Sequence, residues 1–345
     1  MWAHGGHHIR TDNVLDVRVL AAVDKFRGTA TAREVAKAIG SACWDLGHDC
    51  DEAPLGDGGE GTLEVLGGAN RTTRVDGPLG GPVEAGWRMQ NRTAVIEMAQ
   101  ASGLLLTGGA EGNDPVNAST RGTGQLIAAA LSAGARKIIV CLGGSATTDG
   151  GLGALQALPS TTRLRGVELL VACDVTTRFT DAARVFGPQK GASAIEVELL
   201  TNRLDALGER YLDEFGVDVR SIAGAGAAGG LAGALAAVGG RLVPGFDLVA
   251  DEIDLHDRID AADLVITGEG YLDEQSFEGK VVGGVLTLTK MAHRQAHVIV
   301  GNGDHELVER LGAITLVDEY GEQDAFARTM WCVEQATRSI LSTLR

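Results

Sequence analysis

Several short stretches of this chain set glycine beside an acid or a base where an apolar run ends. They are Asp24-Lys25-Phe26-Arg27-Gly28, Asp57-Gly58-Gly59-Glu60, Gly143-Gly144-Ser145 followed by Asp149, Asp174 after a buried run, and Gly268-Glu269-Gly270. In an open α/β sheet, ligands bind outside the carboxyl ends of the strands. Taken singly, each stretch reads as an ordinary turn; taken together they suggest one shared polyphosphate and metal site. Phosphoryl transfer needs such parts: amides and basic side chains around phosphate oxygens, carboxylates for Mg²⁺, and a positioned acceptor hydroxyl. The run Gly143 to Gly151 lies between a buried strand and a helix, so it offers N–H donors, although it lacks the Gly-Lys-Ser/Thr ending of a Walker A loop. Lys190 in Gly187-Pro-Gln-Lys-Gly191 and Lys280 in Glu278-Gly-Lys280 could meet an anion, but each alone reads as a solvated loop charge.

Other chemistries are poorly served. Gly224-Ala-Gly-Ala-Ala-Gly229 fits a dinucleotide fingerprint literally, with Asp247 about twenty residues on. The run before it, Val217 to Ala223, is broken by Asp218 and Arg220, which favours a close-packed helix start over NAD binding. No G-x-S-x-G elbow or H-E-x-x-H pair occurs. The five cysteines form no C-x-x-C pair and read as reduced thiols of a cytoplasmic protein.

The elements that must carry these residues follow from hydrophobic pattern. Arg18 to Asp24 reads as a strand, Thr31 and Glu34 as a capping box before a helix, and Cys50 to Leu55 as a second strand. Short runs at Thr72–Val75, Val83–Met89 and Thr93–Met98 suggest an antiparallel meander. A helix over Gly122–Ala133 leads to buried strands at Lys137–Leu142 and Glu168–Cys173. Leu264–Thr267 and His297–Val300 are read as strands that end at glycine loops, and Ile314–Val317 as the last strand before a closing helix. The expected fold is α/β with two domains: a flexible leader over 1–16, a doubly wound parallel sheet from 17–74 and 263–345, and an inserted α/β domain with a mixed sheet over 75–262.

Composition narrows the function. Of 345 residues 49 are glycine, about 14% where about 7% is usual, and only 4% are aromatic. Glycine without a triplet period in a chain 44% apolar excludes collagen and argues against disorder. A net charge of −16 argues against nucleic-acid and membrane partners, though not against an anion held in one cleft. Ser221 to Gly240 carries no charge, but it is nearly all Gly and Ala and too weakly apolar to span a membrane.

These blocks, in this order, resemble the type 1 bacterial glycerate kinase family. The likeness rests on Asp57-Gly-Gly-Glu-Gly-Thr62, Gly77-Pro-Leu-Gly80, Ile96-Glu-Met-Ala99, Thr120-Arg-Gly-Thr-Gly124 and Gly143-Gly-Ser-Ala-Thr147 with Asp149-Gly-Gly151. It continues through Ala172-Cys-Asp-Val175, Phe186-Gly-Pro-Gln-Lys-Gly-Ala192, Gly224 to Gly230, and Gly268-Glu-Gly270 with Asp273 and Gly279-Lys280. The departures are Lys25 and Arg27 in a first loop that usually reads D-S-F-K-G-S, Tyr271 at a commonly basic position, and a shortened segment over 154–184.

The resemblance implies a flavodoxin-like first domain and transfer of the ATP γ-phosphoryl group to glycerate, most simply at the 2-hydroxyl. It assigns Asp57, Asp174 and Glu269 to Mg²⁺ or to the acceptor hydroxyl, with Asp174 ahead of Asp57 as base. Lys190 and Lys280 join them as catalytic candidates. Substrate or phosphate contacts fall to Asp24, Lys25, Arg27, Gly58, Gly59, Glu60, Arg121, Gly143, Gly144, Ser145, Asp149, Gly226, Gly229 and Asp273. A kinase of another small hydroxy acid, or a catalytically weak metabolite-binding protein of the same fold, stays open, and so does a homodimer.

Overall fold

The apolar runs become the strands of two sheets. A computed structural model describes residues 17–158, 164, 166–277 and 279–343; the leader over 1–16 and part of the shortened segment lie outside the described residues. In chain order the strands are β1 (Arg18–Val23), β2 (Asp49–Pro54), β3 (Arg71–Asp76), β4 (Pro82–Gln90), β5 (Thr93–Glu97), β6 (Lys137–Cys141), β7 (Glu168–Ala172), β8 (Arg241–Val243), β9 (Leu264–Leu272), β10 (Gln295–Gly303) and β11 (Ile314–Thr315). They sort into a sheet of order β11-β10-β9-β1-β2 and another of order β3-β4-β5-β6-β7-β8. Strands β1, β9, β10 and β11 run parallel. In the second sheet β3, β4 and β5 form the antiparallel meander, and β5 to β8 run parallel.

Two compact units result. One comprises the described parts of Met1–Ala53, Asp257–Leu272 and Leu288–Arg345; the other comprises Pro54–His256 and Asp273–Thr287. In the first, β1 is buried from Val19 to Val23, as expected of a parallel strand covered on both faces. The helix Ala32–Asp45 opens on the capping box read from Thr31 and Glu34, and its Val35, Ile39 and Cys43 enter the core. The closing helix is broken: Glu322–Ala327 and Thr329–Ser342 are separate elements, parted at Arg328. Ile314–Val317 likewise yields only two strand residues before the helix Leu316–Tyr320.

Gly268-Glu269-Gly270 is not a loop. Strand β9 runs through it, with Glu269 opposite Val300 of β10. A Cβ on Gly268 would lie 1.9 Å from the Ile299 carbonyl oxygen, so this glycine serves close strand approach rather than a turn.

The second unit packs Ile96, Met98, Leu126, Ile127, Ile138, Val140, Leu231 and Leu235 in one core. A smaller core gathers Phe179, Leu200, Leu204, Tyr211 and Val219, where Phe179 and Tyr211 meet edge to face with centroids 6.0 Å apart. With so few rings, close backbone contact at glycine and alanine replaces bulk. Segment 54–76 belongs to this unit, and Glu97 at the end of β5 fastens it there. Its buried Oε1 accepts the amides of Gly61 (2.9 Å) and Leu63 (2.7 Å) at the start of the helix Thr62–Val65. Removing that carboxylate leaves the amides short of a partner. Glu97→Ala should therefore lower stability by about 2 kcal/mol in denaturant unfolding.

Candidate active site

Adjacent parallel strands direct their carboxyl ends to one place. Leu142 to Ser145 follow β6, Ala172 to Val175 span the end of β7, and both line a cavity of about 370 Å³. Asp57-Gly58-Gly59, Leu104, Phe186, Gln189, Lys190, Ala227 and Ala228 complete the wall. The position is the one the strand-end rule predicts for a ligand.

Asp57 and Asp174 face this cavity together. Asp174 Oδ1 accepts the Gly245 amide at 2.6 Å, and Asp57 Oδ1 accepts the Gly59 amide at 3.2 Å. The two loops are pressed together: a Cβ on Gly58, whose φ is +78°, would fall 2.6 Å from Gly245 Cα and 2.7 Å from Ala172 Cβ. Only glycine accepts both that conformation and that contact. Burial pushes the Asp174 carboxyl up to about 7; the Gly245 amide opposes the rise, Asp57 adds to it, and the Lys280 ammonium opposes it. Such a carboxyl can both hold and release a proton near neutral pH.

Lys190 is not the solvated loop charge that its glycine-rich setting suggests. It is 2% exposed, and its Nζ donates to the Thr147 carbonyl at 2.7 Å. Burial pushes its pKa down to about 7, a fall that the Asp149 charge only partly offsets.

The other expected residues separate into groups. Gly58, Gly59, Gly143, Gly144 and Ser145 reach the cavity with the two aspartates and Lys190. Glu60 lies behind them, its amide nitrogen 2.5 Å from where a Gly143 Cβ would sit. Asp149 is occupied within the protein: Oδ2 accepts the Thr120 amide and hydroxyl, both at 2.8 Å, and Oδ1 accepts the Gly151 amide at 3.0 Å. Arg121 pairs with Asp76 at 2.9 Å, half exposed. Asp273 caps its own turn through the Ser276 amide at 3.1 Å. Gly226 and Gly229 pack on backbone, against Arg178 O and Thr147 O respectively. Lys280 belongs to the same unit as the cavity, whereas Asp24, Lys25, Arg27 and Glu269 belong to the other.

The sequence pattern did not single out Gly245 or Ala228. A Pro-Gly pair is the only local mark of Gly245. Ala228 stands in the cavity wall at φ 52°, ψ 41°, left-handed geometry that alanine resists, and Gly229 and Gly230 continue it at φ 65° and 94°. The turn Val219–Ser221 before Gly224 is helical rather than a strand, so the fingerprint lacks the strand that dinucleotide binding requires.

Among the described residues no group of three or more His, Cys, Asp or Glu is arranged to hold a metal. The Asp57 and Asp174 pair is nonetheless the donor set that suits Mg²⁺ shared with a phosphorylated ligand, since that ion takes one or two carboxylates plus phosphate oxygens. Cys173 in the wall is held as thiol by burial, and its Sγ donates to the Val175 carbonyl at 3.3 Å, which argues against a nucleophilic role. The left-handed alanine gives a direct check on this wall. Ala228→Gly should raise stability by up to about 1 kcal/mol, and Ala228→Val should lower it, in paired thermal melts.

Known proteins resemble this chain over most of its length. The model of the glycerate kinase family matches residues 19–162 and 159–345. Glycerate 2-kinase of Escherichia coli K12 is 37% identical over 374 residues, covering 95% of this chain and 98% of that one. Glycerate kinase of Bacillus subtilis 168 is 35% identical over 381 residues with the same coverage. A crystal structure from Salmonella typhimurium LT2, assigned to glycerate kinase 2, superposes with a TM-score of 0.83 at 34% identity, covering 95% of this chain and 98% of its own. No helix among the described residues is long and apolar enough to cross a membrane. The chain belongs to the glycerate kinase family.

Proposed function

We propose that the chain transfers the γ-phosphoryl group of ATP to the 2-hydroxyl of glycerate, giving 2-phosphoglycerate. One observation carries this reading: in a member of the glycerate kinase family, two carboxylates share a cavity walled by glycine-rich strand ends. The 2-position is favoured by the name of the Escherichia coli relative, a glycerate 2-kinase.

Asp174 orients the acceptor hydroxyl and takes its proton as the new P–O bond forms and the bond from the γ-phosphorus to the bridging oxygen breaks, releasing ADP. The Gly245 amide keeps the carboxylate aimed while it does so. Gly143-Gly144-Ser145 meets phosphate oxygens, and the Lys280 charge offsets the acidic surroundings that it shares with Asp174. Asp57 would hold Mg²⁺, which when bound neutralises charge on the transferring phosphoryl group and leaves Asp174 to the acceptor hydroxyl. A carboxylate cavity in so acidic a chain repels a free anion, so the cationic and amide groups must outweigh it locally.

Phosphorus NMR of the product formed from D-glycerate and Mg²⁺-ATP tests the proposal. The resonance of 2-phosphoglycerate is expected. The 3-phosphate would overturn the position, and turnover confined to another hydroxy acid would overturn the acceptor.

A further inference from the structure

Lys190 occupies a place that its chemistry makes uncomfortable. Its ammonium group has, among the described residues, a single hydrogen-bond partner, the neutral Thr147 carbonyl at 2.7 Å, and no carboxylate within ion-pair distance. The charged group that acts on it is Asp149 of the 143–151 run, whose oxygens are taken by the Thr120, Gly151 and Gly153 amides. From the neighbouring segment comes Asn113, whose amide nitrogen bridges the Ala146 and Lys190 carbonyls at 3.0 and 2.9 Å. The surroundings are polar but unsatisfied. Thr147 Oγ1, Thr148 Oγ1 and Asn113 Oδ1 are all buried without a hydrogen-bond partner. An isolated buried ammonium is costly, and the cheapest escape is loss of its proton.

We infer that Lys190 stands uncharged in the free cavity and takes up a proton from solvent when an anionic oxygen group enters, so that substrate binding and protonation are one event. The inference rests on the kinase reading, which supplies the anions: a carboxylate from glycerate or phosphate oxygens from ATP. An anion against the wall provides the counter-charge that the protein withholds, and the ammonium provides the anion with two further N–H donors. Before binding, Lys190 adds no fixed positive charge and so offers little to a chloride or other simple ion; the charge forms with the ligand that uses it. The low proton affinity of the buried amine, near 7, agrees with this.

The sign of the stability effect follows. Between about pH 7 and pH 10.5 the unfolded chain holds the lysine proton and the free folded protein does not. Stability of the ligand-free protein therefore rises with pH through that window, and Lys190→Met should flatten the rise.

Calorimetric titration of the full chain at pH 8.5, in buffers of differing ionisation heat, reads the proton directly. D-glycerate and Mg²⁺-free ATP are titrated separately, so the arm that draws the proton identifies the anion. About one proton per bound ligand is expected for that arm, falling close to zero near pH 5.5, where the amine is already charged. The wild-type pH series needs no variant. Uptake should persist in Asp174→Asn, which removes the wall carboxyl that burial raises toward neutrality, and vanish in Lys190→Met. Binding without uptake in both arms, or equal uptake in Lys190→Met, overturns the inference and leaves the kinase reading intact. Failure of both anions to bind the wild-type protein removes that reading and the inference with it.

Discussion

Everything in the cavity depends on one backbone contact. The chain at Asp57-Gly58 lies so close to Gly245 that a Cβ on Gly245 would stand 2.0 Å from the Asp57 carbonyl oxygen. That approach sets the Asp57 loop against the residue whose amide holds Asp174, so one main-chain contact positions both carboxylates. Glu97 pins the same loop from the other side through the Gly61 and Leu63 amides. The acid pair is thus located by main-chain contacts, which have fewer ways to relax than side-chain packing.

Electrostatics must work against this frame. The chain carries a net charge of −16, and the cavity wall adds two carboxylates where anionic substrates are expected. Lys280 eases the local field at Asp174, and Lys190, uncharged in the free wall, gains its charge with the ligand. Strand-end amides contribute without adding fixed net charge. The same burial that raises the Asp174 carboxyl lowers the Lys190 amine, and both arrive close to neutrality. In the proposed reaction the first accepts a proton as the phosphoryl group transfers, and the second accepts one on binding.

Much of this was legible in the sequence because parallel strands leave unbroken apolar runs. Lys137–Cys141 and Glu168–Ala172 were visible for that reason, and the alternation at Thr72–Val75 and Val83–Met89 marked the meander. Glycine beside acid marked Asp57, Gly143-Gly144-Ser145 and Asp174, which do share the wall. The same signal misled at Gly268-Glu269-Gly270, where glycine permits strands to approach rather than turn. Asp149 sits in an equally promising motif, yet its carboxylate knits the Thr120 and Gly151 backbone. Burial of Lys190 and the hold of Gly245 on Asp174 depend on which segments meet in space, and no local pattern encodes that.

The central claim is that Asp57 and Asp174 act as one unit on the transferring phosphoryl group. Single-turnover rates of Asp57→Asn, Asp174→Asn and the double variant test it most directly. The account predicts a loss of at least about 10²-fold for each single change and little further loss in the double variant, because residues that act together are not additive. Full turnover in either single variant, or losses that simply multiply in the double, would contradict it.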